Sequence, residues 1–190
     1  MLTPNRYISA FAGLVAAGSL AIACGPSSTP GTTAAGEAAG GGGEVSLPYV
    51  DARFHYRIDG PGKMAVNPDG TAAFIGPSER LEVTVVQGAS AADPAALASQ
   101  DVKALTASAQ SFHLVSSPAT VTIGGHKVTR FTYTWNAGTS TVTGKAVALT
   151  SVRYYVPKDS TTLAVITYGT VSNQFDPQGA DDVASTFKWQ

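Results

Sequence analysis

The stretch HKVTRFTYTWN, residues 126–136, constrains the fold more than any other. Phe131, Tyr133 and Trp135 fall on one side of an extended chain, and Arg130, Thr132 and Thr134 fall on the other. A helix would scatter those aromatics around its circumference, whereas a pleated strand presents them as one apolar face. The pattern recurs. RFHYRI at 53–58 sets Phe54, Tyr56 and Ile58 against His55 and Arg57, and RLEVTVVQ at 80–87 aligns Leu81, Val83 and Val85. KAVALTSVRYYV at 145–156 and TTLAVITYGTV at 161–171 are further β-branched and aromatic runs. PKDS at 157–160, Gly124-Gly125 and NPDG at 67–70 supply hairpin turns, and strands joined so tightly pair antiparallel.

Two segments switch to helical spacing. After Asp93 as N-cap and Pro94 at the first helical position, Ala98, Val102, Leu105 and Ala109 recur on one stripe. Asp176 and Pro177 repeat the device, followed by Ala180, Val183, Ala184 and Phe187, with Phe175 placed to staple onto Ala180. The order is strands, helix, four or five strands, final helix. That order predicts an α+β fold, an antiparallel β-sheet packed by helices, with one covered face as the economical way to bury the aromatic stripes.

The N-terminus has a different character. Residues 8–23, ISAFAGLVAAGSLAIA, carry no charge and have the length of a secretory apolar region, short of the ~20 residues that span a bilayer comfortably. The run ends at Cys24, the single cysteine of the chain, so no internal disulfide forms. LAIAC resembles the lipobox of bacterial lipoproteins, with Ala21 standing where Leu is commonest. The resemblance implies a signal peptide over 1–23, cleaved to leave a lipidated Cys24 as the mature N-terminus and membrane anchor at an extracytoplasmic face. A diacylglyceryl group and an added acyl chain such as palmitate together hold firmly where one chain holds marginally. An ordinary cleaved signal peptide and an uncleaved short membrane helix are the alternatives. Residues 25–44 are Gly, Ala, Ser, Thr and Pro apart from Glu37 and Glu44, so 24–44 reads as the lipidated cysteine and a flexible linker. As a coil this linker reaches roughly 25 Å.

Residues 45–190 suit one domain with a real core. They carry 11 Lys+Arg and 11 Asp+Glu, a formal net charge of zero, which is a poor footprint for nucleic acid and argues against attachment to anionic lipid. YVDARFHYRIDGPGKMAV, IGGHKVTRFTYTW and the run from Arg153 to Trp189 are similar to the PsbP-like superfamily. Its members include a photosystem II extrinsic subunit, a Ran-binding nuclear protein and many bacterial lipoproteins. The resemblance implies an α-β-α sandwich over 45–190 and a protein that docks onto others without catalysing a reaction. Where that family often has Pro-Gly-Trp, this chain has Pro61-Gly62-Lys63, so an aromatic plug is missing near Met64.

The sequence offers little chemistry. GTSTVTGKA at 138–146 has one residue too many between its glycines for a phosphate loop, and Ala146 replaces the metal-binding hydroxyl. STFK at 185–188 has no companion motif for an activated serine. His55, His113 and His126 show no ligand spacing and read as solvated. Asp176 serves as a cap, and Asp181 and Asp182 as solvated helix positions rather than calcium ligands. The expectation is therefore no catalytic residue, no cofactor and no metal. Tyr154, Tyr155 and Trp189 are the candidate docking aromatics for an unidentified protein partner. A small-molecule or lipid carrier, with a pocket between the sheet and the Ala-rich 93–109 helix, is the alternative.

Overall fold

A computed structural model describes residues 46–190 except 68–69, 77 and 141–142. The signal peptide, Cys24 and the 24–44 linker expected from the sequence lie outside the described residues.

Seven antiparallel strands form the main sheet in the order β3-β4-β5-β9-β8-β7-β6. They are β3 (Lys63–Val66), β4 (Ala72–Ile75), β5 (Glu79–Gln87), β6 (His113–Ile123), β7 (His126–Thr139), β8 (Ala146–Pro157) and β9 (Thr162–Val171). A second sheet joins β1 (Ser46–Asp51), β2 (Tyr56–Pro61) and β10 (Lys188–Trp189), with β2 in the middle. Helix α1 (Pro94–Ser108) precedes β6, and α2 (Pro177–Ser185) follows β9. Both caps form as their sequences require: Asp93 accepts from the N–H groups of Ala95 and Ala96, and Asp176 from that of Gln178.

The helices take opposite faces, so the covering of a single face expected from the strand pattern gives way to a sandwich. On one side Leu97, Ala98 and Leu105 of α1 pack onto Phe131, Tyr133, Tyr155 and Leu163. On the other, Ala180 and Ala184 of α2, with Tyr56 and Ile58 of the small sheet, pack onto Val152, Tyr154 and Ile166. The cause is visible in β8 and β9, which carry large side chains on both faces: Val152, Tyr154, Tyr155, Leu163 and Ile166 are all buried.

The two sheets are joined through DGPGK, residues 59–63. A Cβ on Gly60 would lie 2.2 Å from Cδ1 of Phe74. At Gly62 the backbone turns with φ +63°, and a Cβ would lie 2.3 Å from the carbonyl oxygen of Ile75. Both positions therefore need glycine for the chain to cross from β2 into β3. The ribbon beyond is aromatic: Tyr56 stacks on Phe187 at 5.3 Å, and Trp189 meets Phe187 edge-on at 5.0 Å.

Candidate functional site

Tyr154 and Tyr155, expected as docking aromatics, are both 0% exposed. Adjacent strand residues do face opposite sides, as their spacing requires, but here a helix covers each side. The Tyr155 hydroxyl donates to Oδ2 of Asp101 on α1 at 2.5 Å, and Arg153 Nη1 reaches the same oxygen at 2.9 Å. Arg153 Nε also donates to Thr167 Oγ1 on β9 at 3.2 Å. On the other face the Tyr154 hydroxyl donates to Asp181 Oδ1 on α2 at 2.8 Å. Arg130 Nη1 lies 2.6 Å from both oxygens of that carboxylate. Two Arg–Asp–Tyr clusters thus pin the two helices to the sheet. Burial pushes both tyrosine hydroxyls well above their ordinary pKa, and the bond to the aspartate adds to it in each case. They are structural anchors rather than surface contacts.

Trp189 is half-buried, with Lys158 Nζ 5.1 Å above its ring. Its indole nitrogen is shut away without a partner, while the ring packs edge-on against Tyr56 and Phe187 and stays part-exposed. Burial thus overturns Tyr154 and Tyr155 as docking anchors, whereas Trp189 keeps a part-exposed ring.

Other singled-out residues stand apart. His55, His113 and His126 are exposed on three different elements or turns. Among the described residues no three His, Cys, Asp or Glu side chains gather as metal ligands. Asp182 accepts from Gln178 Nε2 at 2.8 Å while Asp181 points to Arg130, so the acidic pair diverges. Ser185 donates to the carbonyl of Asp182 at 2.6 Å, closing the last turn of α2. In the loop between β7 and β8, the Gly144 and Ser140 N–H groups bond within the hairpin rather than converging on a vacant anion position.

On α1, Ala98 is 0% exposed and packs against the sheet, so at this position the small side chain lets the helix lie close. A cleft under the β6–β7 turn, lined by Ile123, His126, Val128, Tyr154, Val156 and Ala184, measures about 10 Å³, room for a single water.

What sequence reasoning missed is on the outside of the small sheet. Val50, Arg57 and Lys188 are exposed, and β10 itself was not foreseen. The polar positions of RFHYRI were a signal for Arg57, but nothing local links it to Lys188.

No family model and no curated protein matches the sequence. Solved structures do match. A protein from Bacteroides thetaiotaomicron aligns with TM-score 0.52 and 11% identity over 76% of this chain and 48% of that one, so this chain spans about half its length. The Saccharomyces cerevisiae Ran-binding protein Mog1p aligns with TM-score 0.51 and 10% identity over 77% of this chain and 96% of Mog1p. LpqN of Mycobacterium tuberculosis, involved in cell envelope biogenesis, aligns at 0.39 with 13% identity over 77% and 82%. The domain has the Mog1-type α+β fold. At these identities the likeness extends to the fold alone, and that fold is the one implied by the resemblance to the PsbP-like superfamily. Among the described residues no helix is long and apolar enough to cross a membrane.

Proposed function

We propose that the protein is a lipoprotein, anchored through Cys24 at an extracytoplasmic membrane face, whose domain docks a partner protein as an accessory module rather than acting as an enzyme. The observation that carries the docking reading is how the partly buried charges are used. Asp101 with Arg153 and Asp181 with Arg130 are spent on fastening helices, which leaves recognition to the surface. The LAIAC sequence and the Gly/Ala-rich linker support the anchor, since they would hold a folded domain at a membrane. The fold shared with Mog1p, a Ran-binding protein by name, supports a binding role.

Two measurements test the proposal. A palmitate analogue should label the wild-type chain and leave Cys24→Ala unlabelled; labelling that persists in the variant sinks the anchor. Crosslinking on intact membranes should trap a defined protein at substoichiometric reagent. A chain recovered only as partner-free monomer would sink the docking role.

A further inference from the structure

Val50, Arg57 and Lys188 stand in one line across the small sheet. β1 and β10 both pair with β2, with Val50 opposite Arg57 on one side and Lys188 opposite Arg57 on the other. Directly opposed residues share a face. The next residues in register, Tyr56 and Trp189, turn toward the core, so this line turns outward, and Val50 is 53% exposed. The arrangement is unfavourable by itself, because two cations directly opposite one another repel. Asp59 relieves Arg57 weakly, at 3.3 Å and with side chains 50% and 28% exposed, where solvent screens the pair.

One further cation adjoins the line. Arg53 sits over the Phe54 ring in the adjoining β1–β2 turn, whereas Lys158, over Trp189, belongs to the inward side of the ribbon and adds nothing to this face. The acids close by are occupied. Asp51 is 7% exposed and accepts from the Tyr49 hydroxyl and the Phe54 N–H, while Asp159 accepts from both the N–H and hydroxyl of Thr161. A domain of zero net charge thus carries a local cationic face with an aliphatic side chain in it, which the overall count conceals.

We propose that this face seats against an anionic phospholipid bilayer. The charge is complementary to such a surface, and an apolar side chain among cations suits the headgroup boundary. Position makes the same choice of occupant. Ser46, the first residue of β1, follows almost directly on the 24–44 linker, so the face belongs to the sheet nearest the anchor. The inference rests on the lipid anchor proposed above, and it fixes which side of the domain faces the membrane.

The test uses the full chain, purified in detergent and added to preformed vesicles of phosphatidylcholine, alone or mixed with phosphatidylglycerol. Labelling by an amine-reactive reagent is read lysine by lysine. On the mixed vesicles Lys188 should react several-fold more slowly than on phosphatidylcholine, and high salt should abolish the difference. Lys103 on α1 and Lys145 before β8 should react equally on both. Equal reactivity of Lys188 on the two vesicles overturns the proposal. Protection found in native membranes but on neither vesicle also overturns it, in favour of a protein occupant. Flotation with the vesicles, compared with Cys24→Ala, reads the anchor separately, so an anchored chain with a reactive Lys188 refutes the face alone. Arg57→Gln relieves the repulsion without setting a second carboxylate beside Asp59, so it should keep the melting temperature while removing the protection. Protection that survives this substitution overturns the proposal.

Discussion

The two helices are fastened by the same three side-chain types, yet at different depths. On the α1 face the Arg153 and Asp101 side chains are 15% and 13% exposed, and Thr167 takes a further bond from the guanidinium. On the α2 face Arg130 and Asp181 are 30% and 23% exposed. The difference teaches that identical chemistry is worth different amounts in the two places. A charge far from water costs much when stripped of its partner, and one near water is rescued by solvent.

Alkali should break both pins together and give the largest effect. Tyr154 and Tyr155 are held well above their ordinary value of 10.0, by burial first and by their aspartates next, and Tyr56 and Tyr133 are raised chiefly by burial. The unfolded chain ionises its tyrosines near 10.0 while the folded chain keeps these protonated. Stability is therefore fully present below that pH and falls as pH rises past it. Tyrosinate absorbance followed alongside circular dichroism checks this. Four hydroxyls that ionise near their ordinary value in a still-folded chain would contradict it.

Asp101→Ala comes next, because it leaves the buried Arg153 cation without its carboxylate, an expected loss of about 3–5 kcal/mol in denaturant unfolding. Asp181→Ala should cost less, about 1–3 kcal/mol, since Arg130 can turn toward water. A larger loss at Asp181 than at Asp101 would reverse the ranking by depth. The smallest effects belong to the hydroxyls. Tyr155→Phe and Tyr154→Phe keep the rings packed and should each lose about 1 kcal/mol, with the α1 side the more costly. Equal melting temperatures for wild type and Tyr155→Phe would show that the 2.5 Å bond to Asp101 contributes nothing net.

Much of the framework was legible because it is local. The alternation around Phe131, Tyr133 and Trp135 located β7 and its α1-facing side, and Asp93-Pro94 and Asp176-Pro177 located both helix starts to the residue. The hairpins at Gly124-Gly125 and at 157–160 also stand where turn chemistry put them. What failed was non-local. Tyr154 and Tyr155 were rightly read as facing opposite ways, but that both sides are roofed depends on Asp181 and Asp101, tens of residues distant. β10 spans two residues and exists because β2 offers an unpaired edge, a partner more than a hundred residues earlier. The line from Val50 through Arg57 to Lys188 was invisible for the same reason.

The placement of β1 and β10 on either side of β2 has a practical consequence. The first described residues and the last ones share one narrow ribbon but lie at its opposite ends: Ser46 pairs with Pro61, whereas Trp189 pairs with Tyr56, so a purification tag or fluorescent fusion joined after Gln190 would emerge beside the β1–β2 turn. Such a cargo would crowd the Lys188 face. Reporters belong instead at the opposite end of β8, in the exposed bend around Gly144, where an added Cβ meets nothing within 4 Å and the positive φ calls for glycine to be kept in place.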